Sequence, residues 1–259
     1  MNLISGWGLH NPAYVNILKP HNSEQLGNLI VDSEKNSFLA RGLGRSYGDA
    51  AQLNNKSVVS LNAFDHIYLN KKEELVTVGS GVSIDSLLKK IIPEGFFIPV
   101  SPGTRNVTIG GAIASDVHGK NHHLKGSFGN HIQEISLIDG RGKLKKLSSK
   151  NNATLEIKSQ FWATIGGMGL TGVIVEATFS LIPIKTSKMK TNTLKYRDLD
   201  DLMDAMVNYQ DKFQYIVSWV DSLSKSNRGV LTVGNHAVES DLFKKDTNKN
   251  LLTYHSKSI

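Results

Sequence analysis

The sequence predicts an α+β fold in two parts, divided near residue 185. The chain has 259 residues, of which 39% are hydrophobic and 20% charged, which is typical of a globular protein with a buried core. Before residue 185, short apolar runs alternate with helical patterns and glycine-rich loops, whereas glycines are fewer afterwards. We therefore expect one domain over residues 1–185 and a second domain with a polar tail over residues 186–259.

The first elements can be predicted from cap signals and apolar runs. The residues Asn22 to Gln25 form a cap signature before an apolar helical pattern, so a helix begins there. Residues 37–40 form a short apolar run that ends in glycines, which predicts a strand leading into a loop. Residues 57–61 and 74–78 have the same character and are predicted as strands.

The middle of the chain is divided by turn residues. Ser83 caps a helix that stops near Pro93, and residues 96–100 form a strand that runs into a turn at Gly103. The segments 133–139 and 143–147 flank a glycine turn, which predicts a β-hairpin.

The remaining elements include one long strand. Residues 161–165 are predicted as a helix that ends on two glycines, and residues 171–184 alternate as one long strand. A helix is expected at residues 198–209. Strands are expected at 215–220 and 229–233, before a tail over 240–259 that lacks a core pattern.

Composition excludes several classes of protein. There is no cysteine, so disulfides, thiolate metal sites and cysteine nucleophiles are excluded. No apolar run approaches the roughly 20 residues of a membrane span, and no secretory signal is seen before Pro12, so we expect a cytoplasmic or membrane-associated protein. The net charge of +7 attracts anions or is simply a solvated surface. Because no aromatics interleave with the basic residues, nucleic acid is not an expected partner.

The densest glycine loop follows the strand predicted at residues 37–40. Its glycines let the backbone approach a ligand, and consecutive N–H groups in such a loop can bind a pyrophosphate. Arg41 and Arg45 could add charge-assisted hydrogen bonds. The same residues also fit a tight cluster of turns. The loop consists of Ala40, Arg41, Gly42, Leu43, Gly44, Arg45, Ser46, Tyr47, Gly48, Asp49 and Ala50.

A second glycine-rich stretch begins at Gly103. Thr108 is predicted to cap a short helix of small residues, Gly110 to Ala114, against which a flat aromatic ligand could pack. Four polar side chains follow at residues 118, 120, 122 and 123. Zinc is an alternative for the histidines, but only Asp116 supplies a nearby carboxylate, so we expect no metal. A third cluster, Gly166 to Gly172, is predicted as a helix C-cap and turn.

These motifs, in this order, resemble the FAD-binding domain of the vanillyl-alcohol-oxidase type, and most closely the decaprenylphosphoryl-β-D-ribose 2′-oxidase family. The resemblance covers about residues 6 to 235. The chain is shorter than members of that family, so we expect a fragment or truncated product. The segments that carry the resemblance are Gly6 to Gly8, Gly42 to Asp49, Pro102 to Arg105, His118 to His123, Gly126 to His131 and Phe161 to Thr164.

The resemblance implies two α+β subdomains that clasp FAD, followed by part of a substrate domain on a mixed sheet. The loop from Ala40 to Ala50 would hold the pyrophosphate, and Ile174 would contact the adenine end. Residues 40–50 contain no histidine, so FAD is expected to be non-covalent. The flavin and its ribityl chain would be lined by Gly103, Thr108, Ile109, Gly110, Gly111, Ser115, Asp116, Val117 and His118.

The resemblance also implies an activity, the oxidation of a secondary sugar alcohol to a ketone on a precursor of cell-wall arabinan. Lys120 and His118 are the catalytic candidates, and Lys120 and Trp219 the substrate-binding ones, although each also fits a structural role. The implied partners are a sugar or sugar-lipid and a short-chain reductase that acts on the keto product. The alternatives are an aldonolactone or alditol oxidase and a catalytically incomplete flavin-binding fragment.

Overall fold

The structure, a computed structural model, describes residues 1–32, 37–242 and 250–254. The strands β1 to β14 are, in chain order, Asn2–Ile4, Ala13–Leu18, Phe38–Arg41, Lys56–Ser60, Ile67–Asn70, Leu75–Gly79, Phe96–Phe97, Ile132–Ile138, Leu144–Ser148, Val173–Ser180, Ile182–Pro183, Met189–Tyr196, Tyr215–Val220 and Gly229–His236. The helices α1 to α6 are Ser23–Asp32, Ile84–Ile91, Ile109–Ala114, His122–Lys125, Leu155–Thr164 and Leu199–Tyr209.

The described residues form two compact units, each built from discontinuous stretches. The first unit contains residues 1–87, 103–117 and 128–181, and the second contains 88–102, 118–127 and the chain from 182 onwards. The chain first passes from one unit to the other within α2. The predicted domain boundary near residue 185 stays a prediction, because a packing unit is not the same as a functional domain.

The first unit contains a four-stranded sheet in the order β1-β2-β4-β3. The pairs β2-β4 and β3-β4 are parallel, and β3 ends where Arg41 pairs with Ser60. Val15 and Val58 pack in a small apolar cluster on this sheet. The glycine loop therefore leaves the sheet at the carboxyl end of a parallel strand that is held in register.

A five-stranded antiparallel sheet, β5-β6-β10-β8-β9, completes the first unit. Its central strand β10 pairs with β6 and β8, with an irregularity beside Ile174. On one face, Glu176 contacts the His66 ring at 2.8 Å and accepts a hydrogen bond from Ser136 at 3.2 Å. The helix α3 packs against β6 and β10 through the buried side chains of Ile109 and Ile113.

The second unit contains a three-stranded antiparallel sheet, β12-β14-β13, and the short pair β11-β7. The helix α6 covers one face of the larger sheet, where Leu202 and Ala205 pack with Leu231 and Val233. Trp219 is 63% exposed, and it alternates along β13 with the side chains that face α6. Its face of the sheet is therefore the one opposite α6.

Most predicted elements are confirmed, with corrected bounds. The helix predicted at 161–165 begins earlier, at Leu155, and the single strand predicted at 171–184 is two strands interrupted at Leu181. The strand predicted at 96–100 has only two residues, because the backbone continues from there as irregular structure. The tail falls partly outside the described residues; within them, the carbonyl of Leu251 accepts a hydrogen bond from Ser187.

Four strands of the structure were not predicted from the sequence. They are β1, β2, β5 and β12. β12 is largely exposed and polar, so it lacks the apolar alternation that marks a strand. β2 alternates buried and exposed residues over its first half, so its signal was present but short.

A buried hydrogen-bonded pair lies in the second unit. The Tyr215 hydroxyl and His236 Nε2 are 3.0 Å apart, and the Phe97 ring lies edge-on to the imidazole. Burial raises the pKa of Tyr215 to about 12. Burial also lowers the pKa of His236 from its ordinary 6.5, so the folded protein favours the neutral imidazole at that position.

We expect stability to fall in acid because of His236. Below about pH 6.5 the unfolded chain binds a proton that the folded protein resists until its lower pKa is reached, so the free energy of unfolding decreases over that window. Urea unfolding followed by circular dichroism at pH 7.5 and 5.5 measures the loss. The substitution His236→Gln should reduce the pH dependence. An equal pH dependence in both proteins would contradict the assignment to His236.

Candidate functional site

The half-buried side chain of Arg41 stabilises the first glycine loop through two hydrogen bonds. Its Nη1 donates to the carbonyl of Ala51 at 3.0 Å, and its Nη2 donates to the carbonyl of Ser5 at 2.6 Å. Burial lowers the pKa of this guanidinium. The two carbonyls compensate for its partial burial, so Arg41 acts here as a structural cation that ties the end of the loop to the N-terminal segment.

Two glycines of this loop are required by packing within the protein. Gly44 has φ +65°, and a Cβ at this position would overlap the Arg41 guanidinium. A Cβ on Gly42 would overlap the Thr108 hydroxyl. The first loop therefore lies directly against the cap of α3, which brings together the first two predicted segments of the site.

The backbone amides of residues 43–48 have no hydrogen-bond acceptor within the described part of the chain. The carbonyls on the same stretch are used, since Ser46 accepts from Trp7 N at 2.6 Å and Tyr47 accepts from Gly8 N at 3.2 Å. Unpaired backbone N–H groups in sequence form a concavity suited to an anion. This geometry supports the predicted pyrophosphate loop.

Fewer of the small residues in helix α3 are open to a ligand than the sequence predicted. Thr108 caps the helix, as expected, by accepting from Gly111 N at 3.2 Å. Ala112 is fully buried, and a Cβ on Gly110 would lie 3.0 Å from the Ser80 Cβ. Packing inside the unit therefore accounts for the small size of these two residues. Gly111 is exposed, and a Cβ there would meet only Thr108 Oγ1, at 3.1 Å.

The third glycine cluster closes the other end of α3. Gly166 N donates to the carbonyl of Ile113 at 3.0 Å, and Met168 N donates to that of Ala114 at 2.9 Å. Asp116 is held nearby by accepting from Gly129 N at 2.8 Å. The cluster follows the end of α5 as a turn, as predicted, and it also satisfies carbonyls of α3. All three glycine-rich stretches therefore meet at α3.

The remaining cofactor candidates of the first unit differ in exposure. Ser115 is exposed and Val117 half-buried, and Val117 N donates to the carbonyl of Ala112. Ile174 is only 5% exposed, so its predicted contact with the adenine end is limited to a small part of its surface. Within the described residues, no atom lies within 4 Å of the positions that a Cβ on Gly48 or Gly103 would take.

The side chain of Lys120, in the second unit, is exposed, and hydrogen bonds of Lys120 and of the next residue hold the backbone there. Its carbonyl accepts from Ile216 N at 2.9 Å. The next residue, Asn121, is completely buried and donates to the carbonyl of Pro99 at 2.8 Å. His118 pairs with Ser127 in an isolated bridge. A lysine held this way presents its charge to solvent from a defined position.

Trp219 does not belong to a core, because 63% of its surface is exposed.

Among the described residues, no group of three or more histidine and acidic side chains is arranged to hold a metal ion. Of the histidines considered for zinc, His118 and His122 have ring centroids 5.4 Å apart, and His123 Nε2 lies 3.1 Å from the Phe213 carbonyl.

No site role was predicted for the N-terminal segment, although Ser5, Trp7 and Gly8 all contact the first loop. The two glycines flanking Trp7 were the available signal, because such spacing permits close backbone approach.

None of the helices in the described part of the chain has the length and apolar character of a membrane-spanning segment.

Comparison with known proteins gives a family for this arrangement. Residues 15–148 match the FAD binding domain family. The chain is 36% identical over 86% of its length to decaprenylphosphoryl-beta-D-ribose oxidase of Mycolicibacterium smegmatis, of which it covers 48%. It is 23% identical over 76% of its length to D-lactate dehydrogenase of Archaeoglobus fulgidus, of which it covers 45%. It is 26% identical over 76% of its length to L-gulonolactone oxidase 5 of Arabidopsis thaliana, of which it covers 35%.

The chain thus spans about half the length, or less, of the curated relatives that it matches. The family match begins in β2 and runs through β9, so it includes the first glycine loop and all of α3. Mixed helices and sheets, with three glycine-rich stretches around α3, agree with this match. The chain belongs to the FAD-binding domain family of the vanillyl-alcohol-oxidase type.

Proposed function

We propose that the chain holds FAD non-covalently on its first unit and serves the oxidation of a secondary sugar alcohol to a ketone. The observation that carries the proposal is the run of unpaired amides at residues 43–48. Open space beside Gly48 and Gly103 adds to it, because a Cβ at these positions would occupy room that the protein leaves free, and exposed Gly111 has only the Thr108 hydroxyl next to it. A ligand with a phosphate chain and a flat ring fits both features.

Each part of the cofactor has a proposed partner on the chain. The amides of residues 43–48 bind the pyrophosphate, and Gly111 and Ser115 lie against the ring and ribityl chain. When bound, FAD supplies the redox chemistry by accepting the hydride of the carbinol carbon. The same proposal includes the other flavin-lining residues that were named from the sequence. It also includes the two subdomains around FAD and the separate substrate domain.

Lys120 is proposed to bind the substrate. Its side chain is exposed and its backbone is fixed by Ile216, so the ammonium can meet a phosphate or a hydroxyl without ordering the loop first. Trp219 offers an exposed indole to the apolar part of a sugar-lipid. The name of the mycolicibacterial relative supports a phosphoryl-linked ribose as the substrate class. The contribution of His118 beside the flavin and the short-chain reductase partner stay predictions.

A second candidate function is an aldonolactone or alditol oxidase, which the match to a gulonolactone oxidase favours. The two functions differ in the substrate that reduces the flavin, which is a ribose lipid for the first and a lactone or alditol for the second. The third candidate function is flavin binding without turnover of a sugar. The experiments below separate the three.

Sugar oxidation is tested by mixing FAD-loaded protein with a polyprenylphosphoryl ribose under anaerobic stopped flow. We expect saturable bleaching of the flavin absorbance. The substitution Lys120→Ala should raise the half-saturating concentration about tenfold, as expected for the loss of one charge-assisted contact. Lys225→Ala, an exposed lysine of the same unit, serves as the control.

The outcomes distinguish the proposals. Bleaching by lactones or alditols but not by the ribose lipid would replace the favoured substrate class. Bound flavin that no sugar bleaches would leave only the flavin-binding reading.

Non-covalent attachment has a simple test. The residues of the first loop include no histidine, the side chain to which relatives with covalent FAD would attach it. Acid precipitation of the yellow protein should therefore release the flavin into the supernatant. Flavin absorbance that stays with the pellet would show a covalent bond.

The substitution Gly111→Val should abolish FAD binding while the fold persists. Gly111 is exposed, and a Cβ there would meet only the Thr108 hydroxyl, so the added methyl groups would enter the space of the ring at a cost of about 1–3 kcal/mol or more. Quenching of flavin fluorescence measures affinity, and circular dichroism monitors the fold. Gly140→Val, at a hairpin turn with no neighbour within 4 Å of the added Cβ, is the control. Unchanged affinity in Gly111→Val would exclude this surface as the flavin platform.

A further inference from the structure

The N-terminal segment Ser5–Gly8, called the strap below, lies against the carbonyl side of the first glycine loop. Trp7 N donates to the carbonyl of Ser46 at 2.6 Å, and Gly8 N donates to that of Tyr47 at 3.2 Å. The strap's own Ser5 carbonyl accepts from Arg41 Nη2 at 2.6 Å. Three hydrogen bonds therefore join three residues of the strap to three residues of the loop, across about forty residues of sequence.

The strap approaches the loop too closely for side chains at its two glycines. A Cβ on Gly6 would overlap the carbonyl oxygen of Gly48, and a Cβ on Gly8 would lie 2.6 Å from that of Tyr47. The strap backbone therefore packs directly on the loop backbone. Because such contact occupies the loop carbonyls, the alternative in which those carbonyls turn toward a ligand is disfavoured.

The Trp7 ring also contacts the guanidinium group of an arginine in the loop. The Arg45 guanidinium carbon lies 4.5 Å from the centroid of the Trp7 ring, which is within the range of a cation–π interaction. The Trp7 ring itself is 48% exposed, so its role is not that of a core residue. Stacking restricts a long, flexible side chain that would otherwise sample many rotamers in solvent.

We propose that the strap is the positioning element of the phosphate-binding loop, with Trp7 as its principal positioning residue. It engages the loop carbonyls, leaves the amides of residues 43–48 unpaired, and holds Arg45 beside them as a second donor for an anion. The loop is thereby ordered before the ligand arrives, which lowers the cost of binding. This inference rests on the proposed function, because the anion is taken to be the pyrophosphate of FAD.

The test compares a ligand that has the pyrophosphate with one that lacks it. FAD and riboflavin are titrated into the purified chain, and flavin fluorescence gives each dissociation constant. In Trp7→Ala we expect affinity for FAD to fall about tenfold, as for a lost cation–π contact together with a less ordered loop. Affinity for riboflavin, which has no phosphate, should stay the same.

Two further variants separate positioning from general damage. Trp7→Phe keeps an aromatic face for Arg45 and should return FAD affinity to within about threefold of the unmodified chain. Trp162→Ala removes an indole of matched exposure, 50%, elsewhere in the same unit, and should change neither ligand's affinity. Hydrogen exchange of the amides of residues 7 and 8, which donate to the loop carbonyls, should be faster in Trp7→Ala than in Trp162→Ala.

The outcomes separate a failure of the positioning role from a failure of the proposed function. Equal FAD affinity in the unmodified chain and Trp7→Ala would overturn the positioning role and leave the proposed function standing. Parallel loss of FAD and riboflavin, or no recovery in Trp7→Phe, would also overturn it, because either marks general damage. Failure of the unmodified chain to bind FAD would overturn both the proposed function and the inference that rests on it.

Discussion

The candidate site depends on the Arg41 guanidinium beneath the first glycine loop. A half-buried cation must be compensated, and here the carbonyls of Ser5 and Ala51 do so. Those two carbonyls belong to the strap and to the far end of the loop. The side chain therefore fixes the path of the backbone between them, and Gly44 crosses it in a left-handed conformation. The Arg41 charge, which the sequence analysis offered to a ligand, is used to build the loop, and the unpaired amides remain open to the ligand.

The glycines around α3 separate into two kinds once their neighbours are known. Gly42 and Gly110 are required because Thr108 and Ser80 occupy the space that a side chain would take. Gly48 and Gly111 face space that the protein does not fill, apart from the Thr108 hydroxyl beside Gly111. Close packing is the ordinary reason for glycine in a tight cluster. The open positions are therefore the informative ones for a ligand.

Local signals predicted much of the site, and long-range contacts account for what was missed. The cap at Thr108 and the turns of the third cluster depend on neighbours within a few residues, so their sequence patterns are sufficient. The bonds from Trp7 to Ser46 and from Arg41 to Ser5 join residues far apart in the chain. Glycine spacing can mark a place where another backbone approaches closely, but it does not identify the distant partner. Likewise, β12 is exposed and polar, and only its pairing with β14 identifies it as a strand.

The division of the chain into units changes how the proposed catalytic residues are understood. By sequence order His118 and Lys120 fall within the predicted FAD-binding domain, residues 1–185. By packing they belong to the second unit, because the Lys120 carbonyl is bonded to Ile216 of β13 and Asn121 is bonded to Pro99. Trp219 lies on the same strand as Ile216. The residues proposed to meet the substrate are thus held by one sheet, and those proposed to bind the pyrophosphate by the first unit. The position of the Lys120 backbone therefore depends on β13, because the Ile216 amide donates to the Lys120 carbonyl.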